Sequence, residues 1–199
     1  MVTIVDYGSG NLRSVQKAFE RLGTAARITD DPQVVAEAER LVLPGVGAFG
    51  DAMRALRDRG LVDPIVAHVR AERPFFGICM GLQLLFETGF EGGRHAGLGL
   101  LPGEVVRFEL PAGTKVPHMG WNTVRWRNDA PGREPDAWYY FVHSYHARPR
   151  DQGDVAAITD YGGEFVSAVA RGRLFATQFH PEKSQSVGLR LLASFVGRG

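Results

Sequence analysis

Seven residues near the middle of the chain restrict its fold more than any other stretch. Phe75-Phe76-Gly77-Ile78-Cys79-Met80-Gly81 begins as an apolar run of strand type and passes, at Cys79, into a helical pattern from Met80 to Phe86. Glycine stands two residues before the cysteine and two after it, the Gly-x-Cys-x-Gly form of a nucleophile elbow. So tight a turn strains the backbone of its central residue, and a side chain at Gly77 or Gly81 would strike the neighbouring strand or helix. The sulfur then emerges at the carboxyl edge of a sheet, at the positive end of a helix, where thiolate is favoured over thiol. A buried core cysteine is the competing reading, since free cysteine is among the most buried residue types. The elbow alone does not choose between them.

An elbow of this kind belongs on a parallel sheet, and the first half of the chain supplies one. Val2 to Val5 is β-prone and ends in the turn cluster Asp6-Tyr7-Gly8-Ser9-Gly10. Asn11 is placed to cap a helix with Leu12, Val15, Phe19 and Leu22 at helical spacing and Gly23 as its stop. Strands are predicted at 25–29, 41–43 and 74–78, with helices opened by Asp31-Pro32, near Asp51 and near Val62. The alternation implies helices on both faces of the sheet. The second half reads differently: strands at 105–108, 121–126, 138–147, 155–159, 165–170 and 174–179, almost no helix, then a last helix over 186–196. Part of the sheet is therefore antiparallel or mixed. The 199 residues form one expected domain, 1–199, an α/β unit with an added β-rich layer.

Composition narrows the partners. A net charge of +1, with charges interleaved, argues against a nucleic-acid reader. No apolar run reaches the roughly 18 residues of a membrane span, and the N-terminus lacks the pattern of a signal peptide. Cys79 is the only cysteine, which excludes an intrachain disulfide or a cysteine-rich metal site. The expectation is a cytoplasmic protein with no metal and no cofactor.

A thiolate nucleophile needs a proton carrier, and the carrier needs a group to fix its tautomer. Phe179-His180-Pro181-Glu182 offers both just past a buried strand. In extended chain a spacing of two sends His180 and Glu182 to one face. A strand-end histidine followed by a helix-start carboxylate is the plainer alternative, so the case rests on pairing with Cys79. His68 and His95 lack a comparable carboxylate, and His143 reads as structural or interfacial rather than catalytic. The loop Gly45-Val46-Gly47-Ala48-Phe49-Gly50 matches G-x-G-x-x-G, which keeps a dinucleotide-binding oxidoreductase in view. Against it, Pro44 precedes the first glycine and the strand at 74–78 does not end in an acid for a ribose. The same loop also suits a backbone donor to a tetrahedral oxyanion.

Together, Gly77-Ile78-Cys79-Met80-Gly81-Leu82-Gln83 and the distant His180-Pro181-Glu182 resemble the class I glutamine amidotransferases. The resemblance implies a flavodoxin-like three-layer sandwich with a mixed, mainly parallel sheet, and a Cys79, His180, Glu182 triad that releases ammonia from glutamine. It further implies oxyanion donors at Val46, Gly47 and Met80, and glutamine contacts at Gln83, Glu91, Ser144 and Tyr145. Pro44 to Gly50, Pro117 to Asn122, Tyr140 to Tyr145 and Gln178 to Ser184 are similar to the members that pass ammonia to a separate cyclase subunit, a (β/α)₈ barrel, in a heterodimer. On that resemblance Asn11, His118, Met119 and Trp121 face the partner. Ser144 and His146 stand where related proteins vary. A glutaminase with another partner would keep the triad and lack the segment from Pro117 to Asn122.

Overall fold

Strands that are apolar on both faces need cover on both, and the chain meets that need by crossing its sheet repeatedly. The computed structural model describes residues 1–127, 134 and 137–197. In chain order it has β1 (Val2–Val5), α1 (Leu12–Arg21), β2 (Ala26–Thr29), α2 (Pro32–Ala36), β3 (Leu41–Gly45), α3 (Phe49–Asp58) and α4 (Val62–Arg70). Then come β4 (Phe75–Cys79), α5 (Met80–Gln83), β5 (Phe86–Gly89), β6 (His95–Ala96), β7 (Leu101–Arg107), β8 (His118–Thr123) and β9 (Arg125–Trp126). The remainder is β10 (Trp138–His143), β11 (Tyr145–Pro149), β12 (Val155–Asp160), β13 (Glu164–Arg171), β14 (Leu174–Thr177) and α6 (Gln185–Val196), with a 3-10 turn at Pro181–Lys183.

The order β2-β1-β3-β4-β14 is parallel throughout and supplies five strands of what is, among the described residues, a 12-stranded sheet. Beyond β14 the sheet continues through β13, β11 and β7, each antiparallel to the strand before it, and then through β5 and β6. Alternation along the central strands builds the layers. Leu41, Leu43 and Phe75 face Val35 of α2, Met53 and Leu56 of α3 and Ile65 of α4. On the opposite face Val42, Phe76 and Ile78 meet Val15 and Phe19 of α1 and Leu191, Leu192 and Phe195 of α6. Each such fully buried side chain contributes about 1.5–3 kcal/mol. The result is the three-layer α/β sandwich with a mixed sheet. β8 and β10 stand apart as an antiparallel ribbon.

Four local expectations need correction. The helix after Cys79 ends at Gln83, because the carbonyls of Leu84 and Leu85 accept N–H groups of Leu98, Leu100 and Leu101, and Phe86 opens a strand instead. The expected strand over 121–126 is two, parted at Val124, with β8 in the ribbon and β9 in the main sheet. The strand expected over 138–147 is likewise parted at Ser144, where the chain passes from the ribbon to β11. Asn11 occupies the cap position of α1 without a side-chain capping bond, whereas Asp31 does accept from Gln33 N at 2.8 Å.

Candidate active site

Two neighbouring parallel strands end side by side and bring the chemistry together. β4 pairs with β14, and Cys79 closes β4 while His180 lies three residues past the end of β14. Cys79 sits at φ +55° and ψ −103°. That left-handed conformation is rare for a side-chain-bearing residue and costs on the order of 1–3 kcal/mol. The flanking glycines make it possible. A Cβ on Gly77 would meet the Gly81 carbonyl oxygen at 2.7 Å, and one on Gly81 would run into the Leu43 carbonyl.

His180 Nδ1 lies 2.8 Å from Glu182 Oε1, and both side chains are buried. Glu182 reaches back through the 3-10 turn at Pro181–Lys183, not along extended chain as the spacing had suggested, so Pro181 folds the pair together. The His180 N–H donates to the Tyr140 carbonyl at 2.9 Å, and Ser184 Oγ donates to the His180 carbonyl at 2.6 Å. With Nδ1 committed to Glu182, Nε2 is the ring atom left to face the sulfur. Burial of the ring opposes its charge most strongly. Its contacts with the Cys79 sulfur and with the Glu182 carboxylate together outweigh that burial and raise His180 to about 10. An imidazolium therefore stands beside the sulfur at neutral pH.

A cavity of about 310 Å³ opens in front of Cys79, lined by Val46, Gly47, Met80, Gln83, Glu91, Ser144 and Tyr145 among others. Every residue expected to hold the oxyanion or glutamine thus meets the sulfur in one space. Gly47 has φ +96°, which suits glycine, and Ser9 Oγ donates to the Val46 carbonyl at 2.7 Å. Glu91 Oε2 accepts the Phe49 N–H at 2.8 Å and so ties the segment after β5 to the first turn of α3, where the glycine loop ends. Gly45 pairs with Cys79 across β3 and β4, and a Cβ there would strike Tyr7 Oη. The glycine loop is therefore a wall of the cysteine cavity, an arrangement that leaves the dinucleotide reading without support.

Of the four expected partner-facing residues, Met119 and Trp121 are exposed, at 62% and 43%, and Asn11 is exposed at the start of α1. His118 is different. It is 2% exposed, stacked on Tyr161 and Phe141, with Nδ1 3.3 Å from His143 Nε2. The alternation of β8 turns it inward and Met119 and Trp121 outward, so it braces the strand from beneath. Burial holds His118 down to about 4 and His143 down to about 3, so both rings are neutral.

Some neighbours of the sulfur were not legible in the sequence. Val142 presents its carbonyl 4.0 Å from Cys79 Sγ, and Gln178 Nε2 lies 3.7 Å away. The Tyr7 phenol, buried and near the Cys79 charge, is raised above its ordinary range by those two causes in that order. Only for Gln178 was a signal available, as a polar residue inside the apolar run Leu174 to Phe179. Trp138, 56% exposed beside Trp121 on the ribbon, was read only as strand.

Comparison with known proteins bears directly on this arrangement. The model of the family "Glutamine amidotransferase class-I" matches residues 3–197. The chain is 60% identical over 198 residues to imidazole glycerol phosphate synthase subunit HisH of Rhodopirellula baltica, covering 98% of this chain and 97% of that protein. It is 56% identical to the subunit of the same name from Syntrophotalea carbinolica, covering 98% of each. Among solved structures, PurLQS from Thermotoga maritima superposes with a TM-score of 0.77 at 21% identity, over 98% of this chain and 97% of that one, a likeness of fold. With the elbow, the cavity and a match along nearly its full length, the chain belongs to the class-I glutamine amidotransferase family.

Proposed function

We propose that this chain is the glutaminase subunit of an imidazole glycerol phosphate synthase. It hydrolyses glutamine to glutamate and ammonia in the cytoplasm. The ammonia passes to a cyclase subunit, a (β/α)₈ barrel, that makes imidazole glycerol phosphate and aminoimidazole carboxamide ribotide in histidine biosynthesis. The observation that carries the reading is the strained Cys79 beside His180, with Glu182 at 2.8 Å behind it. Support for the specific partner comes from the 60% identical relative and its name.

In this mechanism the Cys79 sulfur attacks the side-chain amide carbon of glutamine. The oxyanion is received by the Met80 N–H, which has no acceptor within α5, and by an N–H of the Val46-Gly47 loop. The C–N bond breaks as His180 passes its proton to the departing ammonia, and a γ-glutamyl thioester remains on Cys79. His180, now neutral and held by Glu182, takes a proton from water. The resulting hydroxide attacks the thioester, and glutamate leaves as the C–S bond breaks. Gln83, Glu91, Ser144 and Tyr145 hold the amino-acid end of glutamine. These steps balance with no metal or cofactor.

The outer face of the ribbon meets the cyclase. Trp121 packs edge-on against Tyr140, with ring centroids 6.0 Å apart, and Met119 and Trp138 lie exposed beside them. An apolar, aromatic patch of this kind is typical of interface hot spots. The Tyr140 carbonyl accepts the His180 N–H, so docking strand and base are mechanically joined. Glutamate release should be assayed for the chain alone and with the cyclase barrel and its nucleotide ligand. Weak activity alone and strong activity with the liganded partner is the expected result. Equal activity in both would remove the proposed partner and keep the glutaminase.

A further inference from the structure

The sulfur has a buried polar neighbour that the mechanism above leaves idle. Gln178 is wholly buried, and its side-chain nitrogen lies 3.7 Å from Cys79 Sγ. An amide can be turned end for end without changing its shape, so the end that faces the sulfur must follow from its other partners. The Tyr145 main-chain carbonyl fixes it, because it accepts only. Gln83 lies 3.0 Å from that oxygen and must present its NH₂ group there. The same Gln83 nitrogen is 3.1 Å from the near end of Gln178, which must therefore be the carbonyl. The NH₂ of Gln178 is left pointing at the sulfur.

The anchor is itself locked. The Tyr145 carbonyl also accepts from His143 Nδ1 at 2.8 Å, which uses its second lone pair and leaves His143 Nε2 to accept from His118 Nδ1 at 3.3 Å. Gln83 is 3% exposed, so water has little access to either amide. Because Gln83 also lines the cavity, the amide pair ties the substrate wall to the nucleophile.

We propose that Gln178 is a further catalytic residue, whose side-chain N–H donates to the Cys79 sulfur and holds it in its charged, attacking form, with Gln83 and the Tyr145 carbonyl setting the direction of that bond. The inference rests on Cys79 being the nucleophile. Its chemical sense is complementary to His180. The histidine gains and loses a proton during turnover, whereas an amide keeps its donor throughout. Gln178 still presents an N–H to the sulfur after His180 has given its proton to ammonia, whereas the Val142 carbonyl, 4.0 Å away, can only accept.

Cys79 is the only cysteine, so alkylation of the full chain by iodoacetamide reads this one sulfur. The rate is followed against pH for the parent, Gln178→Met and Gln83→Met, with circular dichroism as the check of fold. Methionine keeps the length of glutamine and removes the donor. The titratable groups facing the sulfur, His180 and Tyr7 and, in the same cavity, Glu91, His143 and Tyr145, are unchanged in both variants. Gln178→Met should slow alkylation at neutral pH by about tenfold and move the midpoint of the profile to higher pH, the scale of one hydrogen bond to a charged group. Gln83→Met should shift it the same way by less, because Gln178 is then free to turn. A reactive parent with an unchanged profile in folded Gln178→Met overturns the proposal and leaves the nucleophile standing. A parent no more reactive than free cysteine overturns the nucleophile reading itself. If Gln178→Met does not fold, an unchanged profile in Gln83→Met overturns the proposal equally.

Discussion

Cys79 carries the strain and, in the proposed mechanism, the chemistry, and the two can be separated by substitution. Cys79→Ala and Cys79→Gly both lack the sulfur, but only alanine keeps a Cβ at φ +55°. The glycine variant should be the more stable of the two by about 1–2 kcal/mol in urea denaturation, and both should be inactive. Equal stability would mean that the turn is unstrained. Glu182 acts through charge and tautomer together, since its Oε1 holds His180 Nδ1 and helps raise the ring to about 10. Glu182→Gln keeps the shape and removes both effects. Its turnover should fall about 10²- to 10⁴-fold with KM for glutamine little changed, as steady-state kinetics with the partner would show.

Elements place these residues by permitting close approach, and the clearest case is α5 against β3. A Cβ at Gly81 would occupy the space of the Leu43 carbonyl, and main chain cannot move aside as a side chain does. Gly81→Ala should therefore destabilise the fold by at least about 1–3 kcal/mol, read as a lowered urea midpoint. That glycine, and the elbow around it, could be read from sequence because steric demands at a tight turn are local. So could β1, β3 and β4 and the helices between them, whose hydrophobic periodicity is strong. The breaks at Val124 and Ser144 could not be read, because nothing local marks where a chain leaves one sheet for another. The end of α5 at Gln83 was equally hidden: Leu84, Leu85 and Phe86 are all buried, and distant N–H groups from Leu98 to Leu101 decide their conformation. In the candidate site, motif residues were legible and their packing neighbours were not. Tyr7, Val142 and Gln178 approach Cys79 only through the fold.

Across the whole molecule, four buried histidines on one side and His180 on the other set opposite pH limits. His68, His118 and His146 are held to about 4, and His143 to about 3, in each case chiefly by burial. Unfolded, each binds a proton near 6.5. Below that value the unfolded chain holds more protons than the folded one. Stability is therefore full above about pH 6.5 and falls as pH drops toward 4, with a slope of up to about 1.4 kcal/mol per pH unit for each ring. His180 has the reverse sign: its contribution is full below about pH 6.5 and is lost as pH rises through about 10. Urea midpoints from pH 7 to 4.5 should fall steadily, and His118→Phe should make the fall shallower. A flat profile would contradict the neutral burial of these rings. His118 and His143 form the inner face of the ribbon whose outer face bears Met119, Trp121 and Trp138. Trp121→Ala should weaken binding of the cyclase barrel at least about tenfold in titration calorimetry while leaving the urea midpoint unchanged. Unchanged affinity would move the docking face elsewhere.

The central claim is that Cys79 is acylated by glutamine with His180 as its proton carrier. Its most direct test is mass spectrometry of the acid-quenched protein during turnover with the partner and glutamine. The account predicts one γ-glutamyl adduct, mapped to the peptide bearing Cys79, and its loss in His180→Asn, which has no proton to give the departing ammonia. Steady glutamate release with no adduct on that peptide in the parent protein, and undiminished release from Cys79→Ala, would contradict it.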